Sequence, residues 1–90
     1  MIQFSGYNVN EEIYNSENSK IFRAVRDSDN IPVVIKLLNR EYPSTKELSA
    51  FIREYEIMNK VTQEGIIKAY SLEKYNNSLA IIMEDIGAES

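Results

Sequence analysis

Alternating hydrophobic and polar residues at the start of the chain predict β-strands. Tyr7, Val9 and Ile13 occupy odd positions among polar residues. This period of two is typical of a half-buried strand from about Gly6 to Tyr14. A polar, turn-prone segment, residues 15–20, leads into an apolar stretch at residues 21–25, so the pattern predicts a second strand and a hairpin.

A third strand is indicated by residues 31–38, which are almost continuously apolar and β-branched and follow a turn at residues 27–30. Such a run is typical of a strand that is covered on both faces. Lys36 is the single charge within it. A buried charge without a partner loses its hydration at a cost of several kcal/mol, so Lys36 requires an explanation.

Ser44 and Glu47 have the spacing of a capping box, which predicts a helix from about Thr45 to Val61. At 100° per residue, one broad apolar arc of this helix contains Leu48, Phe51, Ile52, Tyr55, Met58 and Val61. Glu54 falls inside the same arc. It is therefore a second charge in an apolar setting.

Two more strands complete the predicted fold. Residues 66–73 alternate, residues 76–77 form a turn of two asparagines, and residues 79–83 suit a buried strand. The order strand, strand, strand, helix, strand, strand predicts an α+β fold, a five-stranded antiparallel sheet with one long helix, in a single domain spanning residues 1–90. One face of this sheet would still need cover.

Lys36 and Glu54 would each be explained if they formed an ion pair. The helix directly follows the lysine-bearing strand, so it can pack across that strand and bring the carboxylate to the ammonium. In the alternative, the lysine extends to the sheet edge and the glutamate lies at the rim of the apolar arc. A paired ammonium at a fixed point would suit the phosphates of a nucleotide.

Composition excludes several classes of function. The net charge is −4 and the pI is near 4.8, which argues against nucleic acid or an anionic membrane as a partner. The chain has no cysteine and no histidine, hence no thiol nucleophile, thiolate zinc site or imidazole base. With no signal peptide or membrane span in the sequence, we expect a cytoplasmic protein.

The layout of elements, together with Val33-Val34-Ile35-Lys36, resembles the N-terminal lobe of a protein kinase, whose motif is Val-Ala-Ile-Lys. The resemblance covers nearly the whole chain. It implies ATP and magnesium as cofactors, with Lys36 contacting the α and β phosphates and Glu54 fixing Lys36 as its catalytic partner. Glu56 is the rival glutamate, but it points roughly opposite to Phe51 on the helix.

The resemblance also implies an adenine pocket. Ile21 and Val34 correspond to its upper wall, and Val34 replaces the usual alanine, which would narrow the pocket. Met83 corresponds to the gatekeeper, although methionine at a strand end is more often core filler. Glu84 and Ile86 fall in the segment that resembles the hinge, whose backbone groups bind adenine.

The phosphate loop departs from the kinase pattern. Tyr14, Ser16 and Ser19 occupy the three glycine positions of G-x-G-x-x-G. Glycine permits positive φ and a close approach of the backbone to phosphate, whereas serine offers a hydroxyl and an amide. Ser16 and Ser19 are therefore candidate phosphate ligands, and a polar hairpin turn without a ligand is at least an equal alternative.

Three short segments, residues 42–44, 54–57 and 67–75, resemble the serine/threonine kinase-like domain that opens large bacterial hybrid histidine kinase sensor proteins. This implies a lobe that transfers the γ-phosphate of ATP only when joined to its C-terminal lobe. In this family the C-terminal lobe carries the catalytic aspartate and the magnesium ligands, and the sequence ends before them. Expected partners are the C-terminal lobe and further signalling modules. The isolated lobe is expected to self-associate through apolar surface.

Two other interpretations stay open at this point. In the first, the chain is a pseudokinase-type regulatory module in which Lys36 and Glu54 only stabilise the fold. In the second, it is an unrelated sheet-and-helix interaction domain in which these two residues do not meet.

Overall fold

The computed structural model describes residues 2–60 and 67–87. Within these ranges the elements are β1 (Tyr7–Asn15), β2 (Ser19–Arg26), β3 (Pro32–Leu38), α1 (Thr45–Lys60), β4 (Ala69–Tyr75) and β5 (Ser78–Glu84). The strands form a five-stranded sheet in the order β1-β2-β3-β5-β4, and all neighbouring strands are antiparallel. The predicted α+β fold class and the predicted order of elements are confirmed.

The fourth strand begins at Ala69, later than predicted. The reason is that the backbone N–H of the preceding residue, Lys68, is hydrogen-bonded to a side chain and not to the backbone of the neighbouring strand. The Glu84 N–H donates to the Lys68 carbonyl at 2.9 Å, and the Lys68 N–H donates to the Glu84 carboxylate at 2.9 Å. Regular pairing therefore starts one residue after Lys68. Val61 and Ile66, which the predicted helix and strand included, lie outside the described residues.

The predicted capping box is present at the start of α1. The Glu47 N–H donates to Ser44 Oγ at 3.1 Å, and the Ser44 N–H donates to the Glu47 carboxylate at 3.0 Å. These two bonds satisfy backbone donors that a helix start otherwise leaves unpaired. The hydrogen bond from the Ser44 backbone holds the pKa of Glu47 below its ordinary value. The described residues contain no helix long and apolar enough to span a membrane.

Helix α1 packs on one face of the sheet, against β4 and β5. The buried cluster on this face contains Leu38, Phe51, Ala69, Ile81 and Met83, and Leu48, Tyr55 and Met58 pack against it. Ile52, which was predicted to face inward, is instead 38% exposed. It lies 100° from Phe51 around the helix, and the contact with the sheet is narrower than the apolar arc.

The opposite face of the sheet is covered by the N-terminal segment, residues 2–7. The buried cluster there contains Phe4, Phe22, Ala24, Val33, Ile35, Leu37, Ala80 and Ile82. Phe4 stacks on Tyr75 of β4 with ring centroids 5.3 Å apart, and it meets Tyr7 edge to face at 5.5 Å. The chain turns between Phe4 and Tyr7 through Gly6, whose φ is 87°. This segment supplies the cover that the helix cannot provide.

Tyr7 also joins the two edge strands of the sheet, β1 and β4. Its hydroxyl donates to Glu73 Oε2 at 2.7 Å, and the Ser71 hydroxyl donates to the same oxygen at 2.9 Å. Burial, and after it the hydrogen bond to Glu73, raises the pKa of Tyr7 to about 12. Because strands twist, the sheet curls enough for side chains of its first and last strands to meet.

Replacing Phe4 with alanine should lower the free energy of unfolding by about 3 kcal/mol, because a buried phenyl ring is lost and a cavity remains beside Tyr75. Urea denaturation followed by circular dichroism measures this change. The control is Tyr42→Ala, at a side chain that is 79% exposed. It should change stability by less than about 0.5 kcal/mol. Equal effects of the two variants would contradict the packing described for Phe4.

The raised pKa of Tyr7 predicts a loss of stability in alkali. The unfolded chain releases the Tyr7 proton near pH 10, whereas the folded chain keeps it until about pH 12. The contribution of Tyr7 is therefore complete below pH 10 and disappears as the pH rises through 12. Urea midpoints measured from pH 8 to 12 should fall less steeply for Tyr7→Phe than for the unmodified chain. Parallel curves would contradict this.

Candidate functional site

An ion pair connects the middle strand of the sheet with the helix. Lys36 Nζ of β3 lies 2.5 Å from Glu54 Oε1 of α1. The predicted contact is confirmed. It excludes the alternative in which Lys36 extends to the sheet edge without meeting Glu54, although the exposure of Glu54 agrees with a position at the rim of the apolar arc.

The pair is only partly buried. The Lys36 side chain is 24% exposed and the Glu54 side chain is 41% exposed. The sequence predicted two charges in apolar surroundings, but α1 contacts β4 and β5 more than β3, so water reaches the glutamate. A partly hydrated pair contributes on the order of 1 kcal/mol or less to stability. Its main effect is therefore to fix the position of the ammonium.

Two rows of side chains cross the sheet on the face that carries Lys36. One row is Ile21, Lys36 and Ile81, and the next is Arg23, Val34 and Met83. Directly opposed residues of antiparallel strands place their side chains on the same face. The structure therefore brings Ile21, Val34 and Met83, three residues predicted from the sequence, onto the same surface as the ammonium.

These three residues differ in burial. Met83 is 9% exposed and belongs to the core beneath α1. Ile21 and Val34 are half-buried. The two half-buried side chains offer an apolar surface next to Lys36. Met83 lies beside Val34 on the neighbouring strand, in the core beneath α1. Contact of these residues with adenine stays a prediction.

The segment that follows β5 is held by its own carboxylates. The Glu84 side chain is bonded to the start of β4. Asp85 accepts a hydrogen bond from the Gly87 N–H at 2.8 Å, and its second oxygen lies 3.5 Å from Arg23 Nε. The Ile86 side chain is 57% exposed. The side chains of Glu84 and Asp85 are thus engaged within the protein, and backbone contacts of Glu84 and Ile86 with adenine stay a prediction.

The loop that joins β1 to β2, counted here as residues 15–19 with the last residue of β1 and the first of β2, is closed by its own serines. Ser16 Oγ accepts from the Ser19 N–H at 3.1 Å, and the Ser16 N–H donates to the Ser19 carbonyl at 2.8 Å. None of the five residues 15–19 has a positive φ, so this conformation requires no glycine. Both amides are already bonded within the loop. Contact of Ser16 and Ser19 with phosphate stays a prediction, and it would need these bonds to exchange.

Asn39 and Arg40, which follow β3, form hydrogen bonds with this loop, and Arg40 also contacts the helix. The Asn39 N–H donates to the Asn18 carbonyl at 2.9 Å, and its side-chain amide donates to the Ser16 carbonyl at 3.1 Å. Arg40 Nη2 donates to Asn18 Oδ1 at 2.6 Å, and Arg40 Nε donates to Glu47 Oε2 at 3.0 Å. The sequence pattern did not indicate these contacts, because a polar pair after a strand shows where the strand ends but not what the side chains bind.

The chemistry of these residues is compatible with a nucleotide, whose binding stays a prediction. Lys36 provides a fixed cation beside the apolar surface of Ile21 and Val34. In residues 2–60 and 67–87, no group of three or more Asp, Glu, His or Cys side chains is arranged to ligate a metal. The prediction that magnesium ligands lie on a C-terminal lobe is not tested by these residues.

Comparison with known proteins agrees with this geometry. Residues 7–88 match the family described as protein tyrosine and serine/threonine kinase. The match spans every strand and the helix, and so includes both members of the ion pair. No curated protein matches the chain.

A double-mutant cycle with Lys36→Met and Glu54→Gln should give a coupling energy of about 0.5 to 1 kcal/mol, because the pair is partly hydrated. Urea denaturation of the two single variants and the double variant measures it. In the matched cycle, Glu56→Gln replaces Glu54→Gln, since Glu56 is exposed on the same helix. Its coupling to Lys36 should be close to zero. Equal coupling in both cycles would contradict the assignment of Glu54 as the partner.

Proposed function

Because the chain belongs to the protein tyrosine and serine/threonine kinase family, we propose that it is the ATP-binding N-terminal lobe of a serine/threonine kinase. The observation that carries this proposal is the contact of Lys36 Nζ with Glu54 Oε1 on the sheet face shared with Ile21 and Val34. Such a lobe binds and orients the nucleotide. It transfers phosphate only together with a C-terminal lobe.

Each residue of the site has a distinct task under this proposal. ATP with magnesium supplies the phosphoryl group when bound. Lys36 binds the α and β phosphates, and Glu54 restrains the position of the Lys36 ammonium. Ile21 and Val34 exclude water from the adenine, with Met83 limiting the depth of the pocket. The two methyl groups of Val34 leave less room than the usual alanine, so the adenine fit should be tight.

A bacterial signalling context is the narrower part of the proposal. It is supported by the resemblance of residues 42–44, 54–57 and 67–75 to the kinase-like domain that opens large bacterial sensor proteins. It is also supported by serines in the loop where kinases carry glycines. We accordingly propose a cytoplasmic protein in which this lobe is joined to a C-terminal lobe and further signalling modules, and in which the lobe alone self-associates.

A pseudokinase-type regulatory module is a second candidate, and one observation favours it. The serine amides of the loop at residues 15–19 are already bonded within the loop, and Asn39 and Arg40 bond to its Ser16 and Asn18. A loop that does not release these bonds would present few free donors to a phosphate. In that case Lys36 and Glu54 would support the fold without serving phosphoryl transfer.

The substitution Lys36→Ala should weaken binding of MgATP by about tenfold to a hundredfold, since the charge-assisted hydrogen bonds to phosphate are lost. Isothermal titration calorimetry on a protein that includes the C-terminal lobe measures the affinity. Lys74→Ala is the control, because Lys74 is an exposed lysine of β4. It should leave the affinity unchanged. Equal affinity of the unmodified protein and Lys36→Ala would contradict the proposed nucleotide contact.

Phosphate transfer separates the two candidates. Transfer from radiolabelled ATP to serine or threonine that depends on Lys36 supports the kinase and excludes the pseudokinase. Nucleotide binding without any transfer supports the pseudokinase.

A further inference from the structure

Arg40 connects two parts of the site that are separate in sequence. Its guanidinium donates through Nη2 to Asn18 in the loop at residues 15–19, and through Nε to Glu47 in the first turn of α1. Glu47 is in turn bonded to Ser44 in the capping box. A continuous series of hydrogen bonds therefore runs from the loop to the start of the helix.

The geometry of this bridge suits an arginine. A planar guanidinium presents several N–H donors in fixed directions, so it can serve two acceptors at the same time. A lysine ammonium has the same charge, but its shorter reach and compact head make simultaneous contact with two separated acceptors unfavourable. The Arg40 and Glu47 side chains are 39% and 36% exposed, so the bridge is partly hydrated and can break and re-form.

The bridge lies on the same side of the helix as the ion pair. Glu47 and Glu54 are seven residues apart, which is close to two helical turns, so their side chains project in nearly the same direction. One groove is lined by Asn18, Ser19, Arg40, Glu47, Phe51 and Glu54. Glu47 and Glu54 belong to one uninterrupted helix, so a displacement of α1 as a rigid body at its first turn would also move the carboxylate that holds Lys36.

We propose that Arg40 is a positioning residue that couples the loop to α1, so that opening of the loop and loss of the contact between Lys36 and Glu54 occur together. Hydrogen bonds between Ser16 and Ser19 close the loop, so a change at Asn18 affects the loop as a whole. The significance of this coupling for nucleotide binding rests on the proposed function. The coupling itself is a property of the chain without nucleotide.

Amide hydrogen exchange measured by NMR on the chain without nucleotide tests the coupling. In Arg40→Ala, exchange should rise about tenfold both at Ser16 and Ser19 and at Glu47 and Leu48, because one net hydrogen bond is lost from each end of the bridge. The Lys36 Nζ resonance should move towards its position in Glu54→Gln. Arg53→Ala, which removes an exposed guanidinium from α1, should change neither signal.

Two further variants separate a positioning role from a general loss of stability. Arg40→Lys should keep the charged contact with Glu47 and lose the contact with Asn18, so exchange should rise in the loop but not at Glu47 and Leu48. Asn18→Ala removes only the acceptor in the loop and should give the same pattern. In both variants the shift of the Lys36 Nζ resonance should be smaller than in Arg40→Ala.

The coupling is overturned if Arg40→Ala loosens the loop alone, loosens the helix alone, or leaves the Lys36 resonance unchanged. It is also overturned if Arg53→Ala has the same effects as Arg40→Ala. A separate titration with MgATP tests the proposed function. If the unmodified protein with both lobes binds no nucleotide, that function fails, while the exchange measurements still decide the coupling in either direction.

Discussion

The alternation of side chains along β3 is the constraint on which the site depends. Val33, Ile35 and Leu37 are buried on the face covered by the N-terminal segment. The same alternation places Lys36 on the opposite face, which α1 covers. Within the described residues, α1 supplies the carboxylate that Lys36 contacts. The helix therefore both covers the sheet and supplies the counter-ion, and its position determines where the ammonium is held.

Two kinds of feature could be predicted from the sequence. Some depend only on the spacing of nearby residues, and others show as a charged residue inside an apolar pattern. The capping box of Ser44 and Glu47 needs only residues three positions apart. Lys36 and Glu54 could be paired because each charge stood in an apolar pattern and the helix follows the strand directly. Periodicity gave the direction of each helical side chain but not the width of the contact with the sheet, which is why Ile52 lies outside it.

The contacts that could not be predicted depend on how far the sheet curls. Tyr7 and Glu73 are 66 positions apart, and they meet because the first and last strands approach each other. The contact of Arg40 with Asn18 spans 22 positions and depends on how the chain leaves β3. The loop at residues 15–19 illustrates the same limit. The sequence left a phosphate-binding loop and a polar hairpin turn open as alternatives, and the structure shows a hairpin turn with negative φ throughout, stabilised by side-chain hydrogen bonds.

The N-terminal segment and α1 cover opposite faces of one sheet. The sheet therefore separates the N-terminal segment from the ion pair of Lys36 and Glu54. Phe4 contacts the sheet on the face opposite to the one that carries Glu54. A domain or purification tag attached ahead of residue 2 would consequently be joined on the face of the sheet opposite to α1. The strands of the sheet would then lie between the point of attachment and the groove that contains Glu54.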